Sequence, residues 1–226
     1  MDYASHDIPY YLLSTAESYQ TCLAFFQKLK ELNYPLRVLV CDDNSNIYRA
    51  CLEVFPGAVV QLCQLHYLRS IRFLLRLDLN YHYRPFFFAL CRLFKHRYSE
   101  LSFIQELTQI IQIHYPDRLC TSILIDLEAK KDLLLGYLHD EEIPTTTNLI
   151  ESFNSHLQGR LKSIKGFDSF EHATLWLNGY FLRRRLKPFT DCEGKFANLN
   201  GFSSLSLTKN PNLDLPLFFK LAGDRI

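Results

Sequence analysis

The stretch from residue 36 to residue 63 constrains the fold most. Leu36-Arg37-Val38-Leu39-Val40-Cys41 is a short run rich in β-branched residues, and it stops at Asp42-Asp43. Helical spacing follows over about residues 46–55 and ends at Pro56-Gly57, after which Ala58-Val59-Val60-Gln61-Leu62-Cys63 makes a second strand-like run. Upstream, Tyr19, Cys22, Leu23, Phe26 and Leu29 recur at three- and four-residue steps, which predicts an amphipathic helix within residues 15–32. Ile8-Pro9-Tyr10-Tyr11-Leu12-Leu13 is bulky and aromatic and reads as a further strand. Pro9 cannot donate to a ladder, so that strand belongs at an edge or begins at the proline. Strand, helix, strand, helix, strand is the grammar of an α/β sheet with crossover connections.

After Tyr67 the grammar changes. Residues 68–143 carry helical periodicity, with Phe103, Leu107, Ile110, Ile111 and His114 on one face, and almost no strand signal. They read as an all-helical block inserted into the sheet domain. Beyond it, Leu149, Ile150, Phe153, Leu157, Leu161 and Ile164 predict a helix of about five turns, closed by Gly166. Another helix is expected over residues 169–185. The expected organisation is therefore 1–67, 68–143, 144–187 and a loop-rich extension over 188–226.

Composition excludes several classes. With 48% hydrophobic and 14% aromatic residues, the 226-residue chain can bury a core and is not disordered. Its net charge of +1 makes it neither a basic tail nor an acidic one, so any nucleic-acid surface must be local. The richest apolar run, Phe86 to Cys91, lies between Arg84 and Arg92 and is far short of a membrane span. The first residues lack the basic and apolar regions of a signal peptide. Seven scattered cysteines without a Cys-x-x-Cys pair suggest reduced thiols and no locally encoded four-ligand zinc site. These features predict a soluble, non-exported protein.

Four features carry possible chemistry. Asp42 stands at the carboxyl end of an expected strand, where open α/β sheets gather ligands and a carboxylate can hold a hard cation. The alternative is that Asp42 or Asp43 caps the following helix. Cys63 and His66, three residues apart at a second strand end, suit half a metal site or simply a buried thiol and a core histidine. Asn148 followed by Glu151 has the form of a capping box, while Glu151 also sits off the apolar stripe where it can serve an active site. Finally, residues 160–187 hold seven basic side chains (Arg160, Lys162, Lys165, Arg183, Arg184, Arg185, Lys187) against Asp168 and Glu171. That surplus suits a phosphate backbone or a solvated helix face.

Taken in order, these motifs resemble one family. Val40-Cys41-Asp42-Asp43, then Val54-Phe55-Pro56-Gly57-Ala58, then Gln61-Leu62-Cys63-Gln64-Leu65-His66 resembles the second-aspartate block of Mutator-like transposases and their bacterial insertion-sequence relatives. Thr146-Thr147-Asn148-Leu149-Ile150-Glu151-Ser152-Phe153-Asn154 is similar to the block that carries the third acid. Gly166-Phe167 through Trp176, Arg183-Arg184-Arg185 and Phe189-Thr190 resemble the family's C-terminal stretch. The likeness covers roughly residues 8–200.

The resemblance implies an RNase H-like mixed α/β sheet, N-terminally truncated and interrupted by the helical insertion, with a DDE metal site. Residues 1–67 would then be the first part of that core and 144–187 its closing helices. Carried over, Asp42 and Glu151 are catalytic and metal-binding, with Mg2+ or Mn2+ as cofactor. Cys63, His66 and Asn148 support the site, and Arg160, Lys162, Lys165, Arg183, Arg184 and Arg185 contact DNA. The implied partners are transposon ends, target DNA, and a second copy or a full-length transposase, with no membrane. The implied location is cytoplasmic and nucleoid-associated in a prokaryote, nuclear in a eukaryote. The family's first acid lies on a strand upstream of the Ile8 run. The expectation is therefore a truncated element, with Asp2 a weak substitute and little strand transfer by this chain alone. Two other readings remain open: a DNA-associated remnant that regulates a full-length transposase, and an unrelated metal-dependent hydrolase using Asp42, Cys63 and His66.

Overall fold

The computed structural model describes residues 1–208 and falls into two compact units, Ala16–Asn148 and a second made of Met1–Thr15 with the chain from Leu149 onward.

In the first unit, helix α1 (Tyr19–Glu31) opens on Ser18, whose side chain accepts from the Thr21 amide, and it buries Cys22, Phe26 and Leu29. Those are the apolar positions of the helical spacing, so burial and period agree. Strand β1 (Val38–Cys41) leads to α2 (Ser45–Val54) and then β2 (Val59–Leu62). The strands pair in parallel, Val38 opposite Val59 and Cys41 opposite Leu62. A parallel pair needs a crossover, and α2 supplies it. Both strands end together, because the Cys63 amide donates to the Cys41 carbonyl at 2.7 Å.

The helical block follows as α3 (Gln64–Leu74), α4 (Arg84–Leu93), α5 (Glu100–His114), α6 (Arg118–Ala129) and the short α7 (Lys131–Leu134). Its core is continuous with β2: Leu62, Tyr67, Ile71, Leu75, Phe86, Leu90, Phe103, Leu107, Leu127 and Leu134 belong to one buried cluster. Gln61 is fully buried in β2 yet satisfied. Its Nε2 donates to the Leu134 carbonyl at 2.9 Å and its Oε1 accepts from the Tyr137 amide at 2.9 Å. The turn at 136–138 thus closes against β2. It approaches so tightly that a Cβ on Gly136 would lie 2.6 Å from the Val60 carbonyl oxygen, which only glycine avoids.

The second unit contains α8 (Asn148–Lys162, all but its first residue) and α9 (Phe170–Leu186), as the apolar spacing predicts. Ile8, Phe153, Leu177 and Phe181 form its small core. Gly166, expected to close α8, has φ +123°, a conformation that side chains disfavour. The expected strand over residues 8–13 does not form: the segment has no ladder partner among the described residues and lies along α9. Its bulk is spent on helix packing, with the Tyr11 ring 4.3 Å from that of Phe181 and the Tyr11 hydroxyl donating to Asn178 Oδ1 at 2.7 Å. Aromatic and β-branched residues suit any half-buried extended chain, not only a strand, so the residue types do not separate the two. The described sheet accordingly has two strands, and the rest of the described chain is mostly helical. Beyond Leu186 there are short 3₁₀ turns at Gly194–Leu199 and Leu205–Leu207, while the part of the expected extension after residue 208 lies outside the described residues. No helix among the described residues is long and apolar enough to cross a membrane.

Candidate metal centre and nucleic-acid interface

The carboxyl ends of β1 and β2 bring three of the singled-out residues together. Asp42 is the first residue after β1. It is not the cap of α2, since Asn44 takes that position and its side chain accepts from the Asn46 amide at 3.0 Å. Cys63 precedes α3 and is 1% exposed, and His66 lies in the first turn of that helix. His66 Nδ1 stands 2.6 Å from Asp42 Oδ1, and one ligand atom each from Asp42, Cys63 and His66 lies within 4.8 Å of the others. The side chains of His66 and Asp42 keep 27% and 54% of their exposure, so the cluster opens to solvent.

Thr147 joins the three, and sequence reasoning missed it. Its Oγ1 is 3.4 Å from Asp42 Oδ1, 3.3 Å from Cys63 Sγ and 3.3 Å from His66 Nδ1. A hydroxyl has one proton and can serve only one acceptor at a time. The Thr147 amide also donates to Cys63 Sγ at 3.4 Å, and the Gln64 amide donates to the Thr145 carbonyl at 2.9 Å. Residues 145–147 are thereby stitched to the start of α3. Arg69, also missed, places NH1 3.2 Å from His66 Nε2. A guanidinium can only donate, so the imidazole is the accepting side of that contact.

Asp43 turns to the helical block. Lys130 Nζ bridges Asp43 Oδ2 at 2.6 Å and Asp126 Oδ1 at 2.8 Å, and the Tyr67 hydroxyl donates to Asp126 at 3.0 Å. Burial pulls the Lys130 pKa down, but its hydrogen bonds to Asp126 and Asp43 and their charges outweigh it, and the ammonium is held above its ordinary value. Cys41, behind Asp42, is inert as a thiolate: burial first, then the Asp42 charge, push its thiol up to about 12.

Glu151 is half-buried in the first turn of α8, and Asn148 is the exposed first residue of that helix. Asp42, Cys63, His66 and Asn148 belong to the first compact unit and Glu151 to the second. The basic residues divide into two kinds. Arg160, Lys162, Lys165 and Arg183 are exposed. Arg184 is half-buried with its guanidinium 4.7 Å from the centre of the Phe189 ring, and burial lowers its pKa. Arg185 is committed inside its unit, forking onto Asp7 through Nε–Oδ1 and NH2–Oδ2, both 2.8 Å. Asp7 is 2% exposed and also accepts from the Ser204 hydroxyl at 3.1 Å.

Comparison with known proteins returns one family. The model of the family described as "Transposase, Mutator family" matches residues 5–178, more than three quarters of the chain, and so spans Asp42, Cys63, His66, Thr147 and Glu151. No protein of curated function and no solved structure matches. Strand ends, motif order and family match agree: the chain belongs to the Mutator family of transposases.

Proposed function

We propose that this chain contributes Asp42 and Glu151 to a DDE-type site, in an RNase H-like catalytic domain, that cuts and joins DNA with Mg2+ or Mn2+. The observation that carries the reading is Asp42 itself, an exposed carboxylate at the carboxyl end of a parallel strand. It is gripped through one oxygen by His66 and Thr147, in a chain of a transposase family. Held through Oδ1, Asp42 presents Oδ2 to a hard cation, which prefers oxygen ligands. The second ligand is carried over from the family's third-acid block, to which Thr146-Thr147-Asn148-Leu149-Ile150-Glu151 is similar, in a chain of that family.

The residues fit a divalent cation, which would neutralise the carboxylates and activate a water or a DNA 3′-hydroxyl for in-line displacement. His66 and Thr147 fix the orientation of Asp42, and Arg69 stands 3.2 Å from the far nitrogen of His66. Arg160, Lys162, Lys165 and Arg183 offer exposed positive charge to the phosphate backbone. Arg185 is assigned instead to holding Asp7.

Mn2+ binding to the full chain, followed by electron paramagnetic resonance, tests this. Asp42→Asn and Glu151→Gln are each expected to weaken binding by at least about 100-fold, beyond the loss for an outer partner. Unchanged Mn2+ affinity in Glu151→Gln would remove Glu151 from the site and end the DDE reading.

A further inference from the structure

We infer that Asp42, Cys63 and His66 also form a binding site for one borderline divalent cation of the zinc class. This site differs in donor set from the magnesium-type site proposed above, although both use Asp42. The three ligand atoms lie within 4.8 Å of one another and comprise a sulfur, an imidazole nitrogen and a carboxylate oxygen. Sulfur and imidazole favour zinc over magnesium, which takes oxygen. In a tetrahedral site with bonds of about 2.0–2.3 Å, neighbouring donors stand roughly 3.3–3.6 Å apart. The Nδ1–Oδ1 pair at 2.6 Å must open by less than about 1 Å to reach that spacing.

The surroundings point the same way. Cys63 Sγ accepts from the Thr147 amide at 3.4 Å, and metal-bound ligands typically hold such outer partners. The sulfur is buried while Asp42 and His66 stay partly exposed, so an ion entering from solvent meets three ligands, with the Thr147 hydroxyl 3.3–3.4 Å from each of them.

Binding has a definite proton balance. Bonds form from Sγ, Nδ1 and an Asp42 oxygen to the ion. The Cys63 thiol proton leaves to solvent, and any proton on His66 Nδ1 passes to Nε2 or to solvent, so binding releases at least one proton per ion.

Titration of the full chain with Co2+, a spectroscopic stand-in for zinc, tests the inference. We expect a thiolate-to-cobalt charge-transfer band with tetrahedral visible bands, both abolished by stoichiometric Zn2+. Cys63→Ser should remove the charge-transfer band and weaken binding by at least about 100-fold, beyond the loss for an outer partner. His66→Gln, at a partly exposed side chain, should give a similar loss of affinity and covers the case in which Cys63→Ser does not fold. Glu151→Gln should leave the thiolate charge-transfer band in place. Absence of the charge-transfer band in the wild-type chain, or its survival in folded Cys63→Ser, would overturn the inference. So would its loss in Glu151→Gln. The DDE reading is scored separately by Mn2+ affinity, so either can fail alone.

Discussion

Asp7→Ala removes the buried acceptor at the centre of the second unit. Asp7 is 2% exposed and receives two 2.8 Å bonds from Arg185 and one of 3.1 Å from Ser204. Charge-assisted bonds contribute about 1.5–3 kcal/mol each, but the pair also carries a desolvation cost, so the terms do not simply add. Breaking a buried pair typically costs about 3–5 kcal/mol, because the remaining charge is left unmatched. The Arg185 side chain keeps 28% exposure and can recover some water, which places this case near the lower end, about 3 kcal/mol. The assay is urea unfolding followed by the fluorescence of Trp176, the one tryptophan in the chain, which lies in α9 stacked on Tyr180 at 5.4 Å. With a slope of about 1–3 kcal/mol per molar urea, the midpoint should fall by roughly 1–3 M. Replacing both partners, Asp7→Leu with Arg185→Met, should recover most of the loss, since it leaves no buried charge. A midpoint shift in Asp7→Ala below about 0.3 M, or a double variant less stable than the single one, would refute the reasoning.

Two more predictions concern the scaffold. Gly136→Ala forces a Cβ to within 2.6 Å of the Val60 carbonyl oxygen. Because that neighbour is backbone in β2, thermal unfolding should report a loss of about 1–3 kcal/mol, and an unchanged melting temperature would disprove the contact. His6 is buried at φ +53°, its Nε2 has no hydrogen-bond partner, and burial followed by the Arg184 charge lowers its pKa below 6.5. The unfolded chain then binds the proton more readily, so this contribution to stability is present above pH 6.5 and declines as pH falls through and below it. Trp176-detected stability should therefore drop on acidification, and His6→Gln should flatten that part of the profile. An equal slope in both proteins would exclude His6 as the source.

What the sequence made legible follows the range of the interactions. The β1–α2–β2 unit and helices α1, α8 and α9 were readable because local apolar spacing and burial coincide there: Phe26 and Leu29 are buried in α1, Phe153 in α8 and Phe181 in α9. The segment 8–13 reads as a strand in sequence because packing on α9 calls for the same bulky residues that a ladder would. At the candidate site, Asp42, Cys63 and His66 stood out because each follows a strand end. Thr147 did not, since its partners Cys63 and Asp42 are 84 and 105 residues away. Arg185 looked like one of three equivalent basic residues until its partner Asp7, 178 residues earlier, came into view. Arg69 sits one turn after His66 in α3, a spacing that by itself signals only a shared helix face.

The central claim is that Asp42 and Glu151 hold one ion site, and iron-mediated backbone cleavage tests it most directly. Fe2+ replaces the divalent ion in the full chain, ascorbate and peroxide generate hydroxyl radicals at the metal, and the fragments are mapped by mass spectrometry. The account predicts cuts clustered around both residue 42 and residue 151, suppressed by excess Mg2+ and lost together in Asp42→Asn. Cuts confined to residues 42 and 63–66, with residue 151 spared, would contradict it.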